Sequence, residues 1–235
     1  MPRTGRIVLL DYSHHILHRG HNGQDVFINE DDYMKYLADM KELKGRLGVQ
    51  VQAWCLLPKE VHLILNPGND RNAMGAFMKS MASRFTWMRN QRENRSGTLW
   101  ESRYRSSPVA PEWLLACDRH LEKLPLKVLK MDRPEAYPWT SFHERTGSSP
   151  VSLLDEDPMY LALADCREER AQAYKTFIGE KPDPAETALI HNAVERNQLT
   201  GGADFIDQVE RLIGKRISHR GRGRPPGKPT AKREA

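Results

Sequence analysis

Two β-rich runs, residues 49–57 and 61–66, are separated by only Pro58-Lys59-Glu60. A link this short excludes a parallel crossover, which needs about a dozen residues or more. The two runs therefore read as an antiparallel pair of central strands, and the rest of the fold has to be arranged around them. Before them, residues 12–19 read as a first strand, ended by Gly20 and the turn-prone Asn22-Gly23. Asn29 then caps a helix over 30–48, with Glu30, Asp31 and Asp32 in its first turn and Tyr33, Leu37, Met40, Leu43 and Leu47 at helical spacing.

After the pair, Met74, Phe77, Met78, Met81, Phe85 and Met88 form an apolar stripe on a helix over 72–93, with the arginines on its other side. Ser96-Gly97 breaks the chain before a fourth strand over 99–109, and Pro111 opens a helix that Pro125 ends after Lys123. The order β-α-β-β-α-β-α, without long parallel crossovers, predicts an α+β fold: a ferredoxin-like antiparallel sheet with helices packed on one face. Beyond Tyr137-Pro138-Trp139 the chain is acidic and loop-prone as far as Pro158, then helical from Met159. The expected organisation is a sheet domain over 1–150, a helical unit over 151–217 and a basic tail over 218–235 that has too few apolar residues to support a core.

Charge is unevenly distributed. Residues 211–235 carry nine Lys/Arg and one acid, whereas the remaining 210 residues hold 27 basic and 30 acidic side chains. Inside that near-neutral body, residues 71–106 concentrate eight cations, among them Arg84, Arg89, Arg92, Arg95, Arg103 and Arg105, against Glu93 and Glu101. Two basic zones on a neutral body point to a polyanion partner, with a solvated helix face as the alternative. No apolar run is long enough for a membrane span and the first residues lack a secretory signal, so a cytoplasmic protein is expected. Cys55, Cys117 and Cys166 are widely spaced and odd in number, and read as core thiols rather than a disulfide framework or zinc site.

Five segments in order resemble the REP-associated tyrosine transposases, single-tyrosine members of the HUH endonuclease class. They are His15-Ile16-Leu17-His18-Arg19-Gly20, Ala53 through Leu63, Ser83-Arg84-Phe85-Thr86, Gly97-Thr98-Leu99-Trp100-Glu101-Ser102-Arg103-Tyr104, and Tyr137-Pro138-Trp139-Thr140-Ser141-Phe142. The resemblance spans roughly residues 5–145 and implies the same HUH-like α+β fold. It also implies recognition of hairpin DNA with adjacent single strand, by Arg84, Arg89, Arg92, Arg95, Arg103 and Arg105 on phosphates and by Trp87 and Tyr104 on unpaired bases. In that family two histidines of the HUH motif bind a divalent ion such as Mg²⁺ or Mn²⁺. A helix-borne tyrosine attacks the scissile phosphate, and an amide one turn further on completes the site.

This chain departs from the pattern at each of those positions. Glu60 stands at the first histidine, leaving His62; His120 stands at the tyrosine, and Leu124 at the amide. The resemblance thus implies a DNA-binding protein impaired in nicking. The alternatives left open are an active transposase with a noncanonical Glu60, His62 and His120 centre, and a protein that binds RNA hairpins. In the tail, Arg222-Gly223-Arg224-Pro225 matches the core of an AT-hook, which lays arginines in the minor groove of A·T-rich duplex. A nucleoid-associated location follows from this reading, and a homodimer is compatible with it.

Overall fold

The computed structural model describes residues 6–149 and 152–217; the AT-hook-like Arg222 and Arg224 lie outside the described residues. Strands β1 (His14–Arg19), β2 (Gln50–Leu57), β3 (Glu60–Asn66) and β4 (Arg105–Pro108) form one antiparallel sheet in the order β2-β3-β1-β4. The short link acts as expected, closing β2 onto β3 with Leu57 opposite Glu60 and Cys55 opposite His62. This is the ferredoxin-like arrangement.

Strand alternation gives the sheet two unlike faces. Ile16, Trp54, Leu56, Val61, Leu63 and Leu65 pack against α1 (Glu30–Leu47) and α2 (Ala73–Arg92), whose Met40, Met74, Phe77, Met81 and Phe85 fill the main core. The Asn29 side chain accepts the Asp32 N–H at 3.1 Å to start α1, and Gly48 ends it at φ 66°, a left-handed conformation that favours glycine. On the other face Ala53, Cys55, Leu57 and Ile64 pack against α3 (Leu114–Val128) and Ile190. Helices therefore cover both faces, not one, because β2 and β3 are buried on both sides.

The fourth strand is shorter than expected, and the third helix longer. Glu101 N–H donates to Arg19 O and His21 N–H to Leu99 O, so residues 99–104 wrap the end of β1 while Trp100 turns into the core. Helix α3 continues through Pro125, where a proline typically costs about 3 kcal/mol. Burial of Leu121, Leu124 and Pro125 outweighs that cost.

The remaining helices are α4 (Phe142–Arg145), α5 (Pro158–Leu161), α6 (Arg167–Gly179), α7 (Pro184–Arg196) and α8 (Ala203–Ile213). They are packed onto the sheet domain. α7 lies over β1, β4 and α3, while Phe205 and Val209 of α8 pack with Leu9 and Ala110. Cys55 and Cys117 are buried thiols, but Cys166 is exposed and accepts the Glu169 N–H at the start of α6. The acidic residues at its first turn place this cysteine at a cap instead of in the core.

Both edges of the sheet are paired within the chain. On β2, Ser141 N–H donates to Trp54 O at 2.9 Å, Leu56 N–H to Trp139 O at 2.9 Å, and Val51 N–H to the Asp155 carboxylate at 2.7 Å. On β4, Thr200 N–H donates to Pro108 O at 2.8 Å, Ala110 N–H to Thr200 O at 2.8 Å, and Ser106 N–H to Asn197 Oδ1 at 3.0 Å.

Below the β2 edge, the buried Arg145 guanidinium is 3.6 Å from Asp118 and 3.5 Å from Asp157, stacks on Tyr160, and donates to Gln52 O at 2.7 Å. Burial pushes both carboxyls up, and Arg145 opposes that shift. Arg145→Ala leaves these acids without a counter-charge and is expected to cost roughly 3–5 kcal/mol in urea unfolding. A loss below about 1 kcal/mol would show that this cation does not hold α4 to α3 and α5.

Candidate functional site

The second sheet face is apolar on its β2 side and polar where β1, β3 and β4 meet. Register places His15, Leu17 and Arg19 of β1 beside Ile64, His62 and Glu60 of β3, with Ser107 and Arg105 of β4 on the far side. These polar groups form one hydrogen-bonded chain. His15 Nε2 and His62 Nδ1 are 3.0 Å apart, and His62 Nε2 lies 3.2 Å from Glu60 Oε1. Glu60 Oε2 accepts from Arg19 Nε at 2.7 Å. Glu195, from the last turn of α7, then forms an ion pair with Arg19 and accepts a hydrogen bond from Arg105.

Electrostatics follow from burial. Desolvation alone would raise the Glu60 carboxyl, but the hydrogen bonds and charges of His62 and Arg19 bring it down to about 2, so it is ionised. His15 is pushed well below the ordinary histidine range by burial and by the imidazoles around it. His120 on α3 is 8% exposed, and its ring centroid lies 5.9 Å from that of His15 and 6.4 Å from that of His191 on α7. Burial, with His62 and His191, lowers it to about 3, and its Nε2 has no hydrogen-bond partner among the described residues.

This constellation does not fit a divalent ion. Both ring nitrogens of His62 are already hydrogen-bonded, one Glu60 oxygen is held by Arg19, and the residue is 1% exposed. Leu124 is buried among apolar side chains and offers no donor. Among the described residues no group of three or more His, Cys, Asp or Glu could hold a metal ion. Sequence does bring Glu60, His62 and His120 to one place, but Glu60 and His62 are bonded to each other and to their neighbours, while His120 joins them through ring contacts alone.

Most of the arginines singled out in sequence are engaged internally. Arg84 forms a bidentate pair with Glu42 at 2.7 Å and reaches Asp39 at 3.0 Å; Arg92 pairs with Asp32 at 2.6 and 3.0 Å. Arg95 reaches Glu93 at 3.1 Å and Gln24 at 2.9 Å, and Arg105 is held by Glu195. Arg89 is withdrawn from the surface: it is 2% exposed, donates to Val26 O and pairs with Glu93. Arg103 is exposed and has no ion-pair partner among the described residues. Of the aromatics, Trp87 is 67% exposed, while Tyr104 is half-buried under the Arg6 guanidinium, 3.9 Å away. Trp100 is buried and stacked on His18 at 4.0 Å.

Sequence reasoning missed Arg19, Glu195 and His191 as members of this site. Alternation along β1 would have put Arg19 on the face of His15, but nothing local pairs either residue with a helix that begins at Pro184.

No family model and no curated protein matches this chain. Among solved structures it is similar to the REP-associated tyrosine transposase bound to a REP hairpin, with a TM-score of 0.55 and 14% identity. The fold is transposase-like. The match covers 66% of this chain and 98% of that one. A Deinococcus radiodurans protein assigned as a transposase is matched with a TM-score of 0.33 and 19% identity, over 52% of this chain and 97% of that one.

A buried neutral imidazole has a pH signature. The folded pKa of His120 lies below its unfolded value, so its contribution is present above about pH 6.5 and is lost as pH falls toward 3. His120→Phe removes this proton uptake. The stability of the native protein relative to the variant should therefore drop by roughly 2–3 kcal/mol between pH 7 and pH 4.5. A difference that stays constant over this range in denaturant titrations would mean that His120 is not held neutral.

Proposed function

We propose that this chain is a transposase-like nucleic-acid-binding protein that recognises hairpin DNA with adjacent single strand and does not nick it. The observation that carries this reading is the chain of hydrogen bonds and ion pairs that runs from His15 through His62, Glu60 and Arg19 to Glu195. It consumes the donor atoms that metal-assisted cleavage would need, and His120 and Leu124 replace the nucleophile and the amide.

Binding is supported by three features. The solved transposase that shares the fold is bound to a REP hairpin. Trp87 presents an exposed ring of the kind on which unpaired bases stack, a contact worth about 1–3 kcal/mol per base. Arg103 offers an exposed unpaired cation, and the paired Arg84, Arg92, Arg95 and Arg105 can exchange a carboxylate for a phosphate. Arg222 and Arg224 add a minor-groove arm for A·T-rich duplex in this reading. No helix of the described residues is long and apolar enough to cross a membrane. A cytoplasmic, nucleoid-associated location is part of the proposed DNA-binding role.

The protein should retain a labelled hairpin carrying a single-stranded tail, yet leave it uncut in Mn²⁺ or Mg²⁺ and form no covalent adduct. Trp87→Ala combined with Arg103→Ala should weaken that binding about tenfold or more and flatten its salt dependence. Glu60→His, His120→Tyr and Leu124→Asn restore chemistry only together, because the three positions act as one unit. Metal-dependent nicking by the unaltered protein that His62→Ala abolishes would overturn this reading. Preference for an RNA hairpin in direct competition would replace DNA as the partner.

A further inference from the structure

A cleft of about 170 Å³ opens between the C-terminal half of α3 and the segment entering α7. His120, Leu124 and Lys127 line one side, and Pro182 and Thr187 the other, so the walls are mostly apolar. The volume is below the roughly 300–1,000 Å³ typical of pockets for drug-sized ligands, which suits one planar ring rather than a whole nucleotide. The walls are fixed before any ligand arrives. Arg119 of α3 is pinned to Glu186 of α7 at 2.8 and 3.0 Å and stacks on Phe177, and Lys123 donates to Glu180 O.

Those pairings also decide the chemistry. Arg119 is ion-paired and Lys123 is hydrogen-bonded to the Glu180 carbonyl, which leaves the exposed Lys127 as the cleft cation with neither an ion pair nor a side-chain hydrogen bond among the described residues. A free inorganic phosphate would meet too little charge there. A neutral ring inside, with its phosphate outside on Lys127, satisfies every part. His120 lines the same cleft, and its buried Nε2 has no hydrogen-bond partner among the described residues.

We propose that the α3–α7 cleft holds a single unpaired base of the strand flanking a bound hairpin, with Lys127 on its phosphate. This rests on the hairpin-binding reading. Hairpins without a tail, with a 5′ or 3′ tail, and with one abasic position moved along each tail test it. Wild-type protein should lose about tenfold in affinity at one tail position only, the loss expected for one stacked base. Thr187→Trp, which fills the cleft from α7, should lose the same factor on the intact tail and nothing further on that abasic tail. The same variant should bind the untailed hairpin unchanged, and Lys127→Glu at the exposed rim should weaken tailed binding selectively. Tailed binding that no abasic position and neither variant disturbs overturns the cleft but leaves hairpin recognition standing. Failure to bind any hairpin overturns both.

Discussion

Glu195 joins three elements that are far apart in sequence, since its carboxylate pairs with Arg19 on β1 and Arg105 on β4 while its backbone belongs to α7. The polar half of the sheet face sits beneath helices, and buried charges there need partners in place of water. Glu60 uses Arg19, and Arg19 and Arg105 together use Glu195. Take that carboxylate away and two part-exposed arginines remain against one acid, and among the described residues α7 keeps only the Arg119–Glu186 pair as an ionic tie to the sheet domain. This bridge and the Arg119–Glu186 pair together seat α7 beside His120, and the segment that follows α7 closes β4 through Asn197 and Thr200.

The same charge balance underlies the reading proposed above, in which a transposase-like sheet does not carry transposase chemistry. A metal site keeps ligand lone pairs free and uncommitted until the ion arrives. Here Glu60 and His62 are committed to each other and to their neighbours, and burial disfavours the charged forms of His15 and His120. The same strands and helices thus present a fixed, internally neutralised surface in place of an ion.

Local elements were legible in the sequence because their signals are local. The Asn29 cap and the Met and Phe stripe of α2 appear where their patterns put them, and the link of the central hairpin is tighter by one residue, Pro58-Lys59, with Glu60 already in β3. The limits of β4 and α3 were not, since Trp100 is drawn out of strand geometry by the core and Pro125 is carried inside a helix by burial. In the site, the residue types at 60, 120 and 124 could be read one at a time. What they do depends on Glu195, and what the arginines of α2 do depends on Asp32, Asp39 and Glu42 of α1, so composition overstated the free positive charge.

Closure of the β4 edge by residues 197–200 has a consequence for the order of synthesis. The sheet can assemble once β4 has left the ribosome, yet its outer edge and polar face stay uncovered until α7 and Thr200 follow. At roughly 5–20 residues per second that interval lasts on the order of 5–20 seconds, during which an open strand edge and unneutralised arginines face solvent. The C-terminal helices act first as the cover that ends this exposure, which makes the nascent chain, rather than the finished protein, the form most open to mispairing.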